Sequence, residues 1–380
     1  MKTSICEEYG IDVPIFAFSH SPEVVIAVIN AGGMGVLGAS GMTPEELEGA
    51  LQRITAACPG KAFGIDLILP NDYVGKEQGG LADEELEKQL PEEHKQFVEK
   101  LLDEYGIGDT EVDRSRQIAI NAGANVSLKE ARTLVNIAFR FPIKLLVNAL
   151  GVFPEEFLKK AREKGIKTGA LVGQVKHAIK QKEAGVDLII AQGYEAGGHT
   201  GDIANMVLVP QVVDAVKPTP VLMAGGVADG RQIAAAFALG AQGVWSGSVW
   251  LMTEEAETHP VVKEKFKKAT SADTLRSRSI TGKYARQLKS AWTEAWEDPD
   301  SPEPLPMPLQ GKLVKKAKAR IDAEALQGKP GAVQLINYFV GQNVGMLKEE
   351  KPAAEVLRAL NTQFEDTLEK LSRLLEYRGS

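Results

Sequence analysis

Short apolar runs alternate with helical patterns along most of this chain, and this alternation limits the possible folds more than any other feature. Helix starts such as Thr43-Pro44-Glu45-Glu46, with a capping threonine and early acids, lie between the runs. Such alternation predicts a parallel sheet with helical crossovers. The last four units are short and regular, which favours an α/β fold of the TIM type, a (β/α)8 barrel. The predicted strands are Val13–Phe18, Met34–Gly38, Phe63–Leu69, Lys144–Leu150, Lys167–Val172, Asp187–Ala191, Thr219–Ala224 and Gln242–Ser246.

Two segments interrupt or follow this pattern, so we expect the barrel to comprise residues 10–75 and 141–290. Residues 76–140 are rich in Glu and Lys and carry leucines near helical spacing, which predicts an acidic helical insertion after an early strand. Residues 291–380 form a predicted C-terminal extension. Toward the C-terminus of the chain, Thr281–Trp296 is predicted to be helical, and the proline-rich stretch Asp298–Pro308 is predicted to be extended.

The tail from Ala353 to Leu375 has the pattern of an amphipathic helix, with large apolar residues every three or four positions. Two roles stay open for its apolar face. It coats the barrel, which is the default, or it pairs with a second copy in a homodimer.

Bulk properties exclude several classes of function. The 380 residues carry a net charge of −7 without a long basic block, which argues against nucleic acid or an anionic membrane as a partner. No apolar run approaches the roughly 20 residues of a membrane helix. Cys6 and Cys58 lie in no Cys/His cluster, so we expect neither a disulfide scaffold nor a metal site. We expect a cytoplasmic protein.

The stretch from Gln192 to Gly201 (QGYEAGGHTG) is the strongest candidate for chemistry. It follows a buried strand, and in α/β barrels the active site lies at the C-terminal ends of the strands. Gly197 and Gly198 allow backbone to approach a ligand closely, and His199 can move protons near neutral pH. A lone loop histidine is usually only solvated. The two glycines and the glutamate beside His199 favour a functional site.

Two more glycine sites follow the last two predicted strands, at Gly225-Gly226 and at Gly247-Ser248. Loops at these positions in a barrel often bind phosphate through backbone N–H groups. Each alone is also compatible with a simple tight turn. The chain lacks the Walker lysine motif and an opening GxGxxG, so a dinucleotide Rossmann domain is disfavoured. The arrangement predicts a phosphorylated cofactor whose reactive ring lies over the barrel mouth.

Several of these segments together resemble the nitronate monooxygenase family, formerly called 2-nitropropane dioxygenases. The resemblance covers roughly residues 10–345 apart from the insertion, and the combination of the histidine loop with two glycine sites makes it specific. The matching segments are Pro14-Ile15, Ile29–Gly35, Phe63–Leu67, Ala191–His199, Ala224–Val227 and Trp245–Ser248.

The resemblance implies a barrel that binds FMN without a covalent link and oxidises nitronates or nitroalkanes with O2 to a carbonyl compound and nitrite. By that likeness His199 takes the acidic proton of a nitroalkane or assists nitronate oxidation. Three groups of residues would hold the cofactor: Gly225, Gly226, Gly247 and Ser248 at its phosphate, Gln192, Gly197 and Gly198 along the flavin, and Asp66 at the polar edge of the ring.

Two departures from the family pattern lie near the expected ring. Asp66 replaces the usual asparagine, and the loop after Pro14-Ile15 is short and contains His20. His20 is a second candidate for proton transfer, although a surface histidine is the default interpretation.

Two other functions fit the same sequence. One is an FMN-dependent NAD(P)H reductase acting on quinones or enoyl thioesters, which would have the same barrel and phosphate site. The other is a flavin-free aldolase or isomerase that binds a phosphorylated substrate. An aldolase commonly needs a lysine at a strand end for a Schiff base. Lys144 and Lys167 instead begin their strands, which weighs against this class.

Overall fold

The computed structural model describes residues 3–69, 83–109 and 128–376, and in this part of the chain eight parallel strands form a closed barrel. This confirms the predicted TIM-type fold. The barrel strands are β1 (Ile15–Ser19), β2 (Met34–Gly38), β3 (Phe63–Leu67), β4 (Leu145–Asn148), β5 (Lys167–Val172), β6 (Leu188–Gln192), β8 (Val221–Ala224) and β9 (Gly243–Ser246). They follow one another around the barrel in this order, and β9 pairs with β1.

Helices surround the barrel and continue beyond it. The predicted capping box opens the helix at Pro44, since the Thr43 N–H donates to Glu46 (2.8 Å) and the Glu46 N–H donates to Thr43 Oγ1 (3.2 Å). The helices are α1 (Ser4–Tyr9), α2 (Pro22–Asn30), α3 (Pro44–Ala57), α4 (Asp83–Lys88), α5 (Glu92–Glu104), α6 (Leu128–Ala138), α7 (Glu155–Glu163), α8 (Val175–Ala184), α9 (Asn205–Val216), α10 (Gly230–Ala238), α11 (Pro260–Lys268), α12 (Ala291–Glu297), α13 (Leu309–Leu326), α14 (Pro330–Leu335) and α15 (Ala353–Glu376).

The barrel interior is packed with side chains and is not a channel. Because side chains alternate along a strand, every second residue points inward. The N-terminal helix α1 closes the bottom of the barrel by adding Ile5, Cys6 and Tyr9 to the same buried cluster. The strand residues that form this cluster are Phe16, Met34, Val36, Leu145, Val147, Leu188, Ile190, Leu222, Ala224 and Trp245.

A second, antiparallel sheet stands at the barrel rim and contains β7 (Gly198–His199), β10 (Thr274–Ser277) and β11 (Ala285–Leu288), in the order β10-β11-β7. The predicted helix Thr281–Trp296 is therefore wrong in its first part, and only α12 is helical. The residues of β11, Ala-Arg-Gln-Leu, favour helix locally. Pairing with β10 and with Gly198–His199, which are distant in sequence, overrides that preference.

The described parts of residues 76–140 lie in two places. Helix α6 packs beside α3 on the outside of the barrel, as a crossover between β3 and β4. Helices α4 and α5 pack against α13, where Arg320 pairs with Glu99 at 3.0 Å. The Phe97 ring of α5 also meets Trp296 of α12 edge-on at 4.8 Å. Residues 70–75 of the predicted barrel, and residues 76–82 and 110–127 of the predicted insertion, lie outside the described residues.

The tail helix α15 coats the barrel, because it packs on α10 and α2 and buries Leu357, Leu360 and Phe364. The approach to α10 is close: a Cβ on Gly230 would lie 2.2 Å from the backbone nitrogen of Phe364. Leu371, farther along the helix, is 47% exposed. Among the described residues no helix is long and apolar enough to cross a membrane.

Candidate active site

Two inward-facing polar side chains mark the mouth of the barrel, at the C-terminal ends of β3 and β6. A Cβ on Gly64 would meet the interior residues Val36 and Leu145, so Gly64 faces inward, as Ile190 does. Asp66 and Gln192 each follow by two positions, so alternation directs both side chains into the mouth. In the described part of the chain neither side chain has a hydrogen-bond partner. Both are therefore available to a ligand that enters the mouth.

Asp66 is a buried carboxyl group, and the described residues give it no counter-charge. Its exposure is 3%, and its backbone carbonyl accepts a hydrogen bond from Ala39 N–H at 2.9 Å. Burial raises the pKa of the Asp66 carboxyl well above its usual range, because the charged form would lose water without gaining a partner. The carboxyl group can accept a hydrogen bond when ionised and can also donate one when protonated, so Asp66 can serve either kind of polar atom on a bound ring.

The loop after β6 is fixed to its neighbours by Glu195 and Asn205. The Glu195 carboxylate accepts the N–H of Asn205 at the start of α9, at 3.1 and 3.2 Å. The Asn205 side chain then donates to the carbonyl oxygens of Ala224 and Gly225, each at 2.9 Å. The histidine loop and the end of β8 are thus held together by one buried amide.

His199 lies on β7, where it pairs with Ala285 of β11, and its Nε2 is 2.9 Å from Oγ1 of Thr281. The Phe339 ring lies nearby, with ring centroids 6.4 Å apart. Burial, reinforced by the positive charge of Lys283, lowers the pKa of His199 from 6.5 to about 4. The imidazole is therefore neutral at pH 7 and can accept a proton.

Gly225 and Gly226 form one wall of the predicted phosphate site. Both have left-handed backbone conformations, with φ of 100° and 77°, which only glycine adopts without strain. A Cβ on Gly225 would lie 2.8 Å from the Cβ of Ala196, so the histidine loop packs directly on this turn. Within the described residues the N–H of Gly226 has no backbone acceptor.

Gly247 and Ser248 follow the neighbouring strand β9 and form the other wall. The N–H of Gly341 donates to Ser248 Oγ at 2.9 Å. Because that oxygen accepts this bond, its own hydrogen is left to donate, and in the described part of the chain it has no acceptor. A chain segment from the C-terminal extension therefore orients the serine hydroxyl.

The same segment packs against Gly197. A Cβ on Gly197 would lie 2.7 Å from the Gly341 nitrogen, so this position has no room for a side chain. The Gln342 N–H donates to the Glu195 carbonyl at 2.9 Å, and the Asn343 side chain donates to the Val227 carbonyl at 3.0 Å. Residues 341–343 thus connect the β6, β8 and β9 loops into one cradle.

The cradle fits a phosphate. Its glycines bring backbone close without side chains, and Ser248 has a hydroxyl hydrogen to donate. Such N–H and hydroxyl donors bind phosphate oxygens. The inward side chains of Asp66 and Gln192 would then face the remaining, non-phosphate part of the bound compound across the mouth. The arrangement suits a phosphorylated ring compound with hydrogen-bonding edges.

His20 lies at the mouth and not on the surface. It is half-buried, its ring meets Phe18 edge-on at 5.1 Å, and its Nδ1 lies 2.7 Å from the Gly38 carbonyl oxygen. The default interpretation of a surface histidine is therefore wrong. Phe18 in turn stacks on Trp245 at 6.0 Å, which forms an aromatic floor on this side of the mouth.

Sequence reasoning missed three residues that organise the site: Asn205, Thr281 and Gly341. Each acts through a contact with a residue distant in the chain, so no local pattern marks it. The one signal in the sequence is an asparagine at the start of a helical pattern, as at Asn205.

The chain is similar to known proteins along nearly its whole length. The family model described as nitronate monooxygenase matches residues 2–363. The chain is 50% identical to Rv1533 of Mycobacterium tuberculosis over 378 residues, which are 99% of this chain and 100% of that protein. It is 27% identical to a Bacillus subtilis protein named as a probable nitronate monooxygenase, over 92% of this chain and 94% of that one.

Solved structures share the fold. FabK from Thermotoga maritima superposes with a TM-score of 0.69 at 25% identity and covers 98% of this chain and 99% of that one. Nitroalkane oxidase from Streptomyces ansochromogenes superposes with a TM-score of 0.78 at 23% identity, over 97% and 99% of the two chains. Because the family model matches nearly the whole chain, the protein belongs to the nitronate monooxygenase family and is an oxidoreductase of a flavin-dependent class.

Proposed function

We propose that this protein binds FMN and oxidises alkyl nitronates or nitroalkanes with O2, giving a carbonyl compound and nitrite. One observation carries the proposal most strongly. A glycine-lined cradle on β8 and β9 adjoins a mouth whose inward polar side chains, Asp66 and Gln192, have no protein partner in the described residues. Membership of the family supports the same activity.

The cradle residues would hold the cofactor at its phosphate. Gly225, Gly226, Gly247 and Ser248 offer backbone N–H groups and one hydroxyl, and no cationic side chain is needed. Gly197 and Gly198 would let the β6 loop approach the ring, and Gln192 and Asp66 would hydrogen-bond its edge. When bound, FMN supplies the two-electron oxidation that amino-acid side chains cannot perform.

His199 is the proposed proton-transfer residue. Its neutral imidazole can take the proton from the carbon that carries the nitro group, and the hydrogen bond to Thr281 fixes the plane of the ring. His199 is partly buried beside the Phe339 ring, and partial burial strengthens polar interactions with a small charged substrate. The proposed substrate class is therefore a small nitronate together with O2.

An absorbance spectrum of the purified protein, followed by anaerobic addition of substrate, tests this proposal. We expect a flavin spectrum, or one restored by added FMN, that a nitronate bleaches and NADH does not. Bleaching by NADH alone would favour an FMN-dependent NAD(P)H reductase acting on a quinone or an enoyl thioester. A colourless protein that takes up no FMN would favour a flavin-free enzyme with a phosphorylated substrate in the cradle.

A further inference from the structure

Lys283 lies in the turn between β10 and β11, two positions after the threonine that contacts His199. The Thr281 hydroxyl is 2.9 Å from Nε2 of His199, and the Lys283 N–H donates to the same hydroxyl at 3.3 Å. The lysine backbone and the proposed proton-transfer residue therefore share one hydroxyl group. The Lys283 side chain is exposed, so its ammonium group is open to a substrate that arrives from solvent.

The turn that carries Lys283 is fixed by its neighbours. The Gly282 carbonyl accepts a hydrogen bond from Arg278 Nε at 3.1 Å, and the Gly282 N–H donates to the Arg278 carbonyl at 2.9 Å. The φ of Gly282 is 81°, and a Cβ there would collide with the carbonyl oxygen of Leu305. The backbone of Lys283 is therefore held beside His199.

Three arginines of the same hairpin are engaged by the protein. Arg276 pairs with Asp202, and Arg278 pairs with Glu303 at 3.2 Å. Arg286 is 1% exposed and donates to a backbone carbonyl and to a threonine hydroxyl. These three charges are therefore either compensated by a carboxylate or shielded from an incoming substrate.

Lys283 differs from these arginines because it is both exposed and uncompensated. In the described part of the chain its ammonium group has no carboxylate partner. Its positive charge acts on the site, since it lowers the pKa of His199. A nitronate is an anion, and Lys283 would attract it both during its approach and while it lies beside His199.

A neutral nitroalkane gains much less from the same charge. It enters the mouth uncharged, and proton transfer to His199 then creates an imidazolium and a nitronate side by side, as the electron pair of the C–H bond passes into the nitro group. Lys283 repels the imidazolium and attracts the nitronate, so its two effects largely cancel. The charge thus distinguishes the two substrate forms without taking part in proton transfer.

We propose that Lys283 is a specificity-determining residue, which favours the nitronate anion over the neutral nitroalkane as the substrate. This inference rests on the proposed function. The division of roles is then clear: His199 moves the proton of a neutral nitroalkane, and Lys283 raises the rate at which a preformed nitronate is captured. No bond to the substrate forms or breaks at Lys283.

The variant Lys283→Met tests the proposal, because methionine keeps an unbranched side chain and lacks the charge. The experiment compares kcat/KM for a preformed nitronate with kcat/KM for its neutral nitroalkane, using FMN-loaded protein at low and at high ionic strength. We expect a loss of about 10-fold with the nitronate at low ionic strength and a change of less than about twofold with the nitroalkane. Added salt should lower the nitronate value of the wild type and leave that of the variant nearly constant.

Two further variants separate the charge from the shape of the side chain. Lys283→Arg keeps the charge and should keep the preference for the nitronate, whereas Lys283→Glu should lower the nitronate value more than Lys283→Met does. Lys289→Met is the matched control, because Lys289 is an exposed lysine at the other end of β11 and its loss changes the net charge equally. We expect both of its kcat/KM values to equal those of the wild type.

The possible results keep this proposal apart from the proposed function. Equal losses with both substrate forms in Lys283→Met, or an unchanged ratio between them, would overturn the role of Lys283 while the proposed function stands. An equal loss with the nitronate in Lys289→Met would also overturn it, because the effect would then come from net charge alone. Wild-type protein that turns over neither form would overturn the proposed function, and the role of Lys283 with it.

Discussion

Nε2 of His199 and Oγ1 of Thr281 lie 2.9 Å apart and join the loop after β6 to the turn between β10 and β11. The Thr281 hydroxyl also contacts Lys283, whose carbonyl oxygen is 3.2 Å away and whose N–H donates to it at 3.3 Å. The imidazole is therefore oriented by a turn that lies far away in sequence. The small sheet β10-β11-β7 holds this turn in place.

Replacing His199 by alanine should leave FMN bound and slow the proton-dependent step. General bases typically contribute about 10²–10⁴-fold, so we expect a loss in that range with neutral nitroalkanes. Stopped-flow measurement of flavin reduction under anaerobic conditions checks this. Full activity of His199→Ala with neutral nitroalkanes would remove His199 from the mechanism.

The lowered pKa of His199 predicts a pH dependence of stability. In the unfolded chain the imidazole has its ordinary pKa of 6.5, and in the folded chain the pKa is about 4. As the pH falls from 6.5 to 4 the unfolded state takes up this proton first, so the free energy of unfolding decreases, and below 4 this contribution is constant. His199→Gln lacks the effect.

Urea unfolding of the wild type and of His199→Gln at pH 7 and pH 4.5 measures this contribution. We expect the wild type to lose more stability than the variant between the two values. His20 and His259 also have lowered pKa values because of burial, so the variant should keep part of the acid sensitivity. An identical loss in both proteins would contradict the prediction.

Gly225→Ala should damage the cradle. The new Cβ would meet Ala196, and the φ of 100° costs a non-glycine residue about 1–2 kcal/mol. We expect FMN affinity, measured by quenching of flavin fluorescence, to fall by more than about tenfold, since the turn must move. Gly165→Ala is the matched control: its φ is 66° but nothing lies within 4 Å, so it should lose stability and keep FMN affinity.

Asn205→Asp tests the amide that joins the histidine loop to β8. The substitution replaces a donor of two hydrogen bonds by an oxygen that faces two carbonyl oxygens. We expect thermal unfolding to show a loss of about 1–3 kcal/mol, together with weaker FMN binding. Asn30→Asp, on the exposed end of α2, is the control: it loses a long bond to the Ala57 carbonyl (3.5 Å) but keeps the bond from Lys61 (3.0 Å), so we expect unchanged FMN affinity and a stability change within about 0.5 kcal/mol. Normal FMN affinity in Asn205→Asp would show that the cradle does not depend on this amide.

The barrel could be predicted because the patterns that mark its strands and helices involve only neighbouring residues. Short apolar runs, helix caps and terminal glycines are such patterns, and together they predict the eight strands. The positions of the cradle glycines and of the histidine loop could also be predicted, because both come directly after the C-terminal ends of strands. Their part in binding FMN, and the division of the chain into barrel, insertion and extension, stay predictions.

The small sheet at the rim was not predictable for a physical reason. Residues 285–288 prefer helix by themselves, and only their pairing with Gly198–His199 and with β10 makes them a strand. His20 was misjudged in the same way, because its burial depends on Gly38 and Phe18 from the folded barrel. Contacts between distant segments decide both cases, and no local pattern encodes them.

Coupled measurement of oxygen uptake and nitrite release tests the central claim most directly. FMN-loaded protein would be mixed with a small nitronate in air, with an oxygen electrode and a colorimetric nitrite assay, and separately with NADH. We predict oxygen uptake with nitrite formed in proportion to the nitronate consumed, and no comparable oxygen uptake with NADH. Absence of nitrite, together with rapid NADH oxidation, would contradict the account.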